Sequence, residues 1–398
     1  MITRHEALNI IATNTPVLPA ERVPVSEAAG RVLAEPVIAR LTQPPSAMSA
    51  MDGYAVRFAD CGDMGAGFAQ IGESAAGAPF DGEVGAGETV RVFTGSVIPA
   101  GADHVVIQEE VAIRDDRVYL TEAQNGPANI RPAGLDFSEG ETLIATGTRL
   151  SGAVPSLIAA ANWAEVPVRR RPKVVLIANG NELKLPGASL ARGEIICSTP
   201  FGLAALIERW GGEAHFTGIA GDSEDDIVDH IDRIRDPDVI VPLGGASVGD
   251  YDYMKSAFAR RGLETLFSKV AIRPGKPTWF GKLGAARVLG LPGNPASALV
   301  CAHVFLAPLL ARMQGLEPAG AMVRAKAAAD IPANGKRESF LRAVSHVDET
   351  GQTWVTPAAN QDSSLLSPFL QASLLIQRPV DAPPVPAGEI VTCLRLDA

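Results

Sequence analysis

The run Asp238-Val-Ile-Val-Pro-Leu243 passes directly into Gly244-Gly245-Ala-Ser247-Val-Gly249-Asp250-Tyr-Asp252, and no other stretch limits the fold as much. Apolar residues without polar alternation read as a strand covered on both faces, as in the parallel sheet of an α/β domain. Gly244 and Gly245 permit a tight turn, and Asp250 supplies a side-chain cap for a helix through Arg261. Unpaired amides at such a turn can hold an anion. Gly245-Ala-Ser247-Val-Gly249 also spells the G-x-S-x-G elbow of a hydrolase nucleophile, so two chemistries are open at this point.

The pattern of buried strand and helix holds from Pro172 onward, after the linker Arg169-Arg-Arg-Pro172. Strands are expected at 173–178, 213–219, 238–243 and 287–291. Between them, a helix at 200–210 takes Thr199 as its cap, and a second, capped by Asp222, places Ile227, Ile231 and Ile234 on one face. A three-layer α/β domain over residues 172–318 follows. Residues 41–140 are dense in Gly, Thr and Val, with short strand runs at 88–93, 104–108 and 117–121, and read as a β-rich insert. Helices at 4–12 and 151–162 flank it and are expected to pack together, so 1–40 and 141–171 form one discontinuous domain. Short strands over 319–398 suit a C-terminal β-barrel, with Pro379 to Pro386 as a connector.

Composition narrows the function. A net charge of -10, from 45 acidic and 35 basic residues, argues against broad nucleic-acid binding but leaves room for a local phosphate site. Cys61, Cys197, Cys301 and Cys393 lie far apart with no C-x-x-C pair, which fits free thiols in a reducing compartment. The N-terminus lacks the apolar segment of a signal peptide, and the most apolar stretch, 296–310, is interrupted by His303 and Pro308. It falls short of the roughly 20 residues that cross a bilayer. A cytoplasmic protein without membrane segments is expected.

Several groups could carry chemistry. Gly290-Leu-Pro292-Gly293-Asn294-Pro295 ends the last parallel strand and opens a helix, with Asn294 as N-cap and Pro295 at its first position. With Gly244-Gly245 it supplies a second amide-lined wall at the carboxyl edge of one sheet, where ligands of such sheets bind. Lys269, Arg273 and Lys276 lie between these turns on a loop stiffened by Pro274, Gly275 and Pro277, and suit phosphate. Asp52, Asp136, Glu182, Asp222, Asp250 and Asp252 stand near loop ends, where carboxylates beside phosphate suit magnesium. A hydrolase needs a histidine downstream of Ser247, and only His303, inside an apolar helix, and His346, in the barrel region, are available. No dinucleotide fingerprint or P-loop is present.

Six segments in order resemble the MoeA family of molybdopterin molybdenumtransferases, which includes the E domain of gephyrin. They are Ser49-Ala-Met-Asp-Gly-Tyr-Ala55, Thr94 to Asp103 with 105–109, Asn129-Ile-Arg131 with Gly134 and Asp136, Gly244 to Gly249 with Asp252, Pro274-Gly-Lys-Pro277, and Gly290 to Pro295. The resemblance implies a four-domain dimer with a MogA-like α/β domain, its cleft shared with the partner's insert. It implies molybdenum insertion from molybdate into adenylylated molybdopterin, with magnesium and release of AMP. By matching motif, Asp52, Asp136, Glu182, Asp222 and Asp252 are catalytic carboxylates, and the last three hold metal. Gly244, Gly245, Ser247, Lys269, Arg273, Lys276, Pro292, Gly293, Asn294, Arg342 and Ser363 bind the substrates. Molybdopterin adenylyltransferase and molybdoenzyme chaperones are candidate partners.

Two departures from the family pattern stand on the ligand side. The usual Ser-Thr-Gly-Asp-Glu-Leu is Ala178-Asn-Gly-Asn-Glu-Leu183 here, and a Tyr-Asp-Ser-Asn-like segment is Ile196-Cys-Ser-Thr-Pro200. A position commonly lysine is Arg273. These leave open a specialised paralogue that binds or scaffolds the cofactor.

Overall fold

A computed structural model describes residues 1–244, 253–316 and 322–396. Its central sheet runs in the order Glu213–Ala220, Lys173–Asn179, Val239–Leu243, Ala286–Gly290, Trp279–Leu283 and Glu264–Phe267. The first four strands are parallel, and Trp279–Leu283 runs antiparallel to both its neighbours. Alternation along each strand divides the interior into two cores. Val174, Leu176, Val239 and Val241 face the helices Thr199–Arg209 and Pro295–Cys301. Val175, Ile177, Ile240 and Val288 face Glu224–Arg233 and Tyr253–Arg260. The three layers expected from the sequence are present.

Both caps in this region differ from expectation. Ser198, not Thr199, precedes the helix Thr199–Arg209. Ser223, not Asp222, caps Glu224–Arg233, its Oγ accepting from the Asp226 amide at 3.1 Å. Asp222 is thereby released for the site. Asp250 lies outside the described residues.

The apolar helix continues from Pro295 to Met313 past both expected interruptions. Pro308 lacks an N–H and crowds the preceding turn, and a π-helical turn over Ala302–Leu306 absorbs that demand. By length and composition this helix could cross a membrane, yet 72% of its apolar window is buried inside the protein. His303 is a packed core residue, 5.1 Å edge-on from Trp210.

The remaining sheets hold the site's flanks. Glu338–Val347, Thr353–Pro357, Met322–Ala327, Ile390–Arg395 and Leu374–Arg378 close a five-stranded barrel, the last strand pairing back to the first. Ile272–Arg273 adds to it, parallel to Glu338 and Ser339, so part of the expected basic loop is a strand tied to the barrel. The insert forms a six-stranded sheet in the order His104–Ile107, Gly53–Val56, Glu88–Val92, Gly67–Ser74, Arg117–Leu120 and Val111–Arg114. Ala20–Pro24 pairs with Glu165–Arg169 on the other side of that insert.

The two flanking helices do not pack together. Val154–Ala160 contributes Ile158 to the core around Val166 and Val168. Arg4–Thr13 instead lays Ala7 and Ile11 into the α/β core beside Leu309, Leu310 and Met313. Ile2 reinforces this, its amide donating to Lys269 O at 3.1 Å and its carbonyl accepting from Ala271 at 2.7 Å.

Candidate active site

The carboxyl ends of the parallel strands open into a cleft of about 920 Å³. Gly244 turns there with φ +92°, and a side chain at Gly293 would start 3.2 Å from Gly244 Cα. The two glycine turns therefore touch, and a Cβ at Gly293 would push them apart by a few tenths of an ångström. The Gly244 amide is not free for an anion, because it donates to Leu291 O at 3.2 Å and continues the strand pairing. Asn294 also departs from expectation. It stands at the N-cap position, but its amide donates to Ser363 Oγ at 2.7 Å, while Ser363 O accepts from Ala296 N at 3.0 Å. A barrel loop thus satisfies one of the free N–H groups at this helix start.

Acid lines one side of this cleft. Asp222 Oδ2 accepts from the Asn181 amide at 2.9 Å, and Oδ1 accepts from Asn179 Nδ2 at 3.2 Å. Glu182 is exposed on the same wall, at the base of the paired segments Leu183–Lys184 and Ile195–Ile196. Cys197 lines it as a buried thiol, its pKa pushed up by burial and by Glu182. No lysine or arginine lines this cleft among the described residues.

A second cleft, of about 500 Å³, adjoins the first at Pro277 and lies against the barrel. Arg273 and Lys276 are exposed there, and neither side chain pairs with a described residue. Arg337, which the sequence reading did not single out, joins them. Arg342 also lines this second cleft, with its guanidinium engaged by the protein itself. Only 2% exposed, it donates to Leu365 O at 2.6 Å, Asp362 O at 2.8 Å and Asn360 O at 3.4 Å. It shapes the loop that carries Ser363.

Asp52, Asp136 and Lys269 line neither cleft. Gly245, Ser247 and Asp252 lie outside the described residues, so the strand-and-turn reading is followed only to Gly244. Glu182 and Asp222 share a wall, but among the described residues no three His, Cys, Asp or Glu side chains gather as a metal would require. The hydrolase reading finds no histidine. His303 is enclosed, with Nδ1 2.9 Å from Leu299 O, and His346 lies on the barrel strand Glu338–Val347.

On the insert, Asp52 Oδ1 accepts from the Thr94 amide at 2.7 Å and from its hydroxyl at 2.8 Å. These donors, with Arg91 nearby, hold its pKa below the ordinary aspartate value. The sign follows: the ionised form is favoured in the folded state, a preference present above the unfolded pKa and lost as pH falls through the folded one. Thr94→Val removes the hydroxyl and keeps the amide, so the Asp52 pKa should rise toward its ordinary value in a carbon-13 NMR titration. An unchanged midpoint would assign the shift to the backbone donor alone.

Comparison with known proteins agrees with this arrangement. Three family models match in succession: the MoeA N-terminal region (domain I and II) over 2–162, the probable molybdopterin binding domain over 176–312, and the MoeA C-terminal region (domain IV) over 324–396. The molybdopterin molybdenumtransferase of Haemophilus influenzae is 34% identical over 94% of this chain and 93% of its own. Molybdopterin molybdenumtransferase 2 of Mycobacterium tuberculosis is 33% identical, covering 92% of each. The molybdopterin biosynthesis MoeA protein of Pyrococcus horikoshii OT3 superposes with a TM-score of 0.84 at 28% identity, over 99% of this chain and 100% of that one. Matched from end to end in sequence and in fold, the chain belongs to the MoeA family.

Proposed function

We propose that the protein is a molybdopterin molybdenumtransferase that inserts molybdenum from molybdate into adenylylated molybdopterin and releases AMP. The observation that carries this reading is the junction of two unlike clefts at Pro277. One has carboxylates and glycine turns, the other unpaired cations. Arg273 and Lys276 neutralise pyrophosphate and molybdate oxygens, stabilising charge that grows as the phosphoanhydride breaks. The names of the relatives support the same reaction.

Glu182, Asp222 and Asp252 offer only oxygen donors, which suit magnesium, and each Asp222 oxygen accepts a single N–H bond. When bound, the ion neutralises phosphate oxygens. The reading further makes the protein a cytoplasmic homodimer whose Asp52 and Asp136 serve the partner's cleft. That neither lines a described cleft of its own chain supports this, as do four free buried thiols for a reducing compartment. The division into 1–40 with 141–171, 41–140, 172–318 and 319–398 belongs to the same reading, with Arg4–Thr13 reassigned to the α/β core.

The test is direct. Purified protein, adenylylated molybdopterin, molybdate and magnesium should yield AMP and cofactor that activates an apo-molybdoenzyme, and chelation should suppress both. Intact substrate after incubation would overturn the assignment. Tungstate run in parallel reports on oxyanion preference.

A further inference from the structure

Asn179 closes a strand that is otherwise apolar after Lys173, and it is 8% exposed. Its Nδ2 donates to Asp222 Oδ1 at 3.2 Å, whereas its Oδ1 is buried without a hydrogen-bond partner among the described residues. The assignment of the two amide atoms is fixed chemically. A carboxylate only accepts, so the atom facing Asp222 must be the nitrogen. The oxygen then faces the turn at Gly244, where a Cβ would sit 3.3 Å from it. Native proteins seldom leave such an acceptor unpaired unless something else supplies the donor.

We propose that Asn179 is a specificity residue whose Oδ1 accepts a hydrogen bond from an uncharged N–H or O–H group of the substrate, a ring amine, ring amide or sugar hydroxyl. This rests on the transferase reading of the cleft. Oδ1 is itself an acceptor, so an unprotonated phosphate or molybdate oxygen gains nothing from it, and the wall around it carries no described lysine or arginine. Those oxygens would instead meet a metal held at Glu182 and Asp222, or Arg273 and Lys276 across Pro277. Asn179 thus selects a donor-bearing atom of the ligand beside the charged groups that take its oxyanions. A hydroxyl at this position, as in the usual family segment, could not serve Asp222 from an amide nitrogen and present a separate carbonyl oxygen.

The test is a mutant cycle on the full-length protein, read as equilibrium binding of two probes, molybdopterin and AMP, measured separately. Asn179→Leu keeps the side-chain shape and removes both polar atoms. Against Asp222→Asn, which already alters the Nδ2 contact, it isolates the free oxygen. Asn179→Leu should weaken one probe roughly 5- to 20-fold in both backgrounds, and the probe affected identifies the donor-bearing half. Asn179→Ser, which adds no apolar bulk, carries the same expectation should the leucine variant fold poorly. A loss that disappears in the Asp222→Asn background would make Asn179 only a positioning residue for Asp222. Binding by the unaltered protein that ignores residue 179 would overturn this inference and spare the transferase reading. Failure of the unaltered protein to bind either probe, with no AMP released, would overturn both.

Discussion

Replacing Lys276 with alanine should slow AMP release about 100-fold or more, the size expected when one preorganised charge is removed from a developing anion. The substitution disturbs little else. The Lys276 side chain is exposed and pairs with no described residue, and the position is fixed by its backbone, whose carbonyl accepts from Val270 N at 3.1 Å. Pro277 on one side and the strand Ile272–Arg273 on the other keep the loop in place. A thermal melt should therefore match that of the unaltered protein. The loss should fall mainly in kcat, because a cation that meets growing charge acts on the transition state more than on the bound substrate. Lys276→Arg should recover part of the rate. A full rate in the alanine variant would remove the basic cleft from the chemistry.

Gly290→Ala should produce the largest loss of stability, about 3 kcal/mol, at the upper end for overpacking a filled core. Gly290 pairs with Trp279 across the antiparallel edge of the central sheet. An added methyl would fall well inside contact distance of Trp279 Cε2 and Nε1. The indole has nowhere to go, being fully buried and 5.8 Å edge-on from Phe258. Denaturant unfolding should show a lowered midpoint with little change in slope. Trp279→Phe in the same chain should recover part of the loss, since the indole Nε1 has no hydrogen-bond partner to forfeit. Additive losses in the double variant would refute the proposed clash.

What the sequence disclosed depended on how local each signal was. The parallel strands were legible because burial on both faces leaves unbroken runs such as Val174 to Ala178. The antiparallel strands Trp279–Leu283 and Glu264–Phe267 were not, since Gly281, Lys282 and Glu264 break such a run at the sheet edge. Pro308 was read as a helix interruption, yet a local widening of the helix accommodates it. Motif and position also pointed to Lys276, Asp222, Gly244 and Gly293, each of which lines a cleft. The contacts of Arg342 were not legible, because three carbonyls between 360 and 365 claim its donors and no pattern of letters records a carbonyl's direction. Asn179 left one trace, a polar residue ending an apolar strand. Its unpaired oxygen depends on Gly244, far along the chain.

The docking of the N-terminal helix has a consequence for biogenesis. Arg4–Thr13 leaves the ribosome well before the segment Ala307–Met313 against which it packs, which is made roughly 300 residues later, a delay of about 15–60 s at ordinary synthesis rates. During that interval Ala7 and Ile11 lack the native cover of Leu309, Leu310 and Met313. The insert can mature meanwhile, with its own sheet and its own apolar clusters. The α/β core cannot, so the nascent chain carries this helix face uncovered until Ala307–Met313 has emerged, which makes Arg4–Thr13 the natural place for a chaperone to hold it.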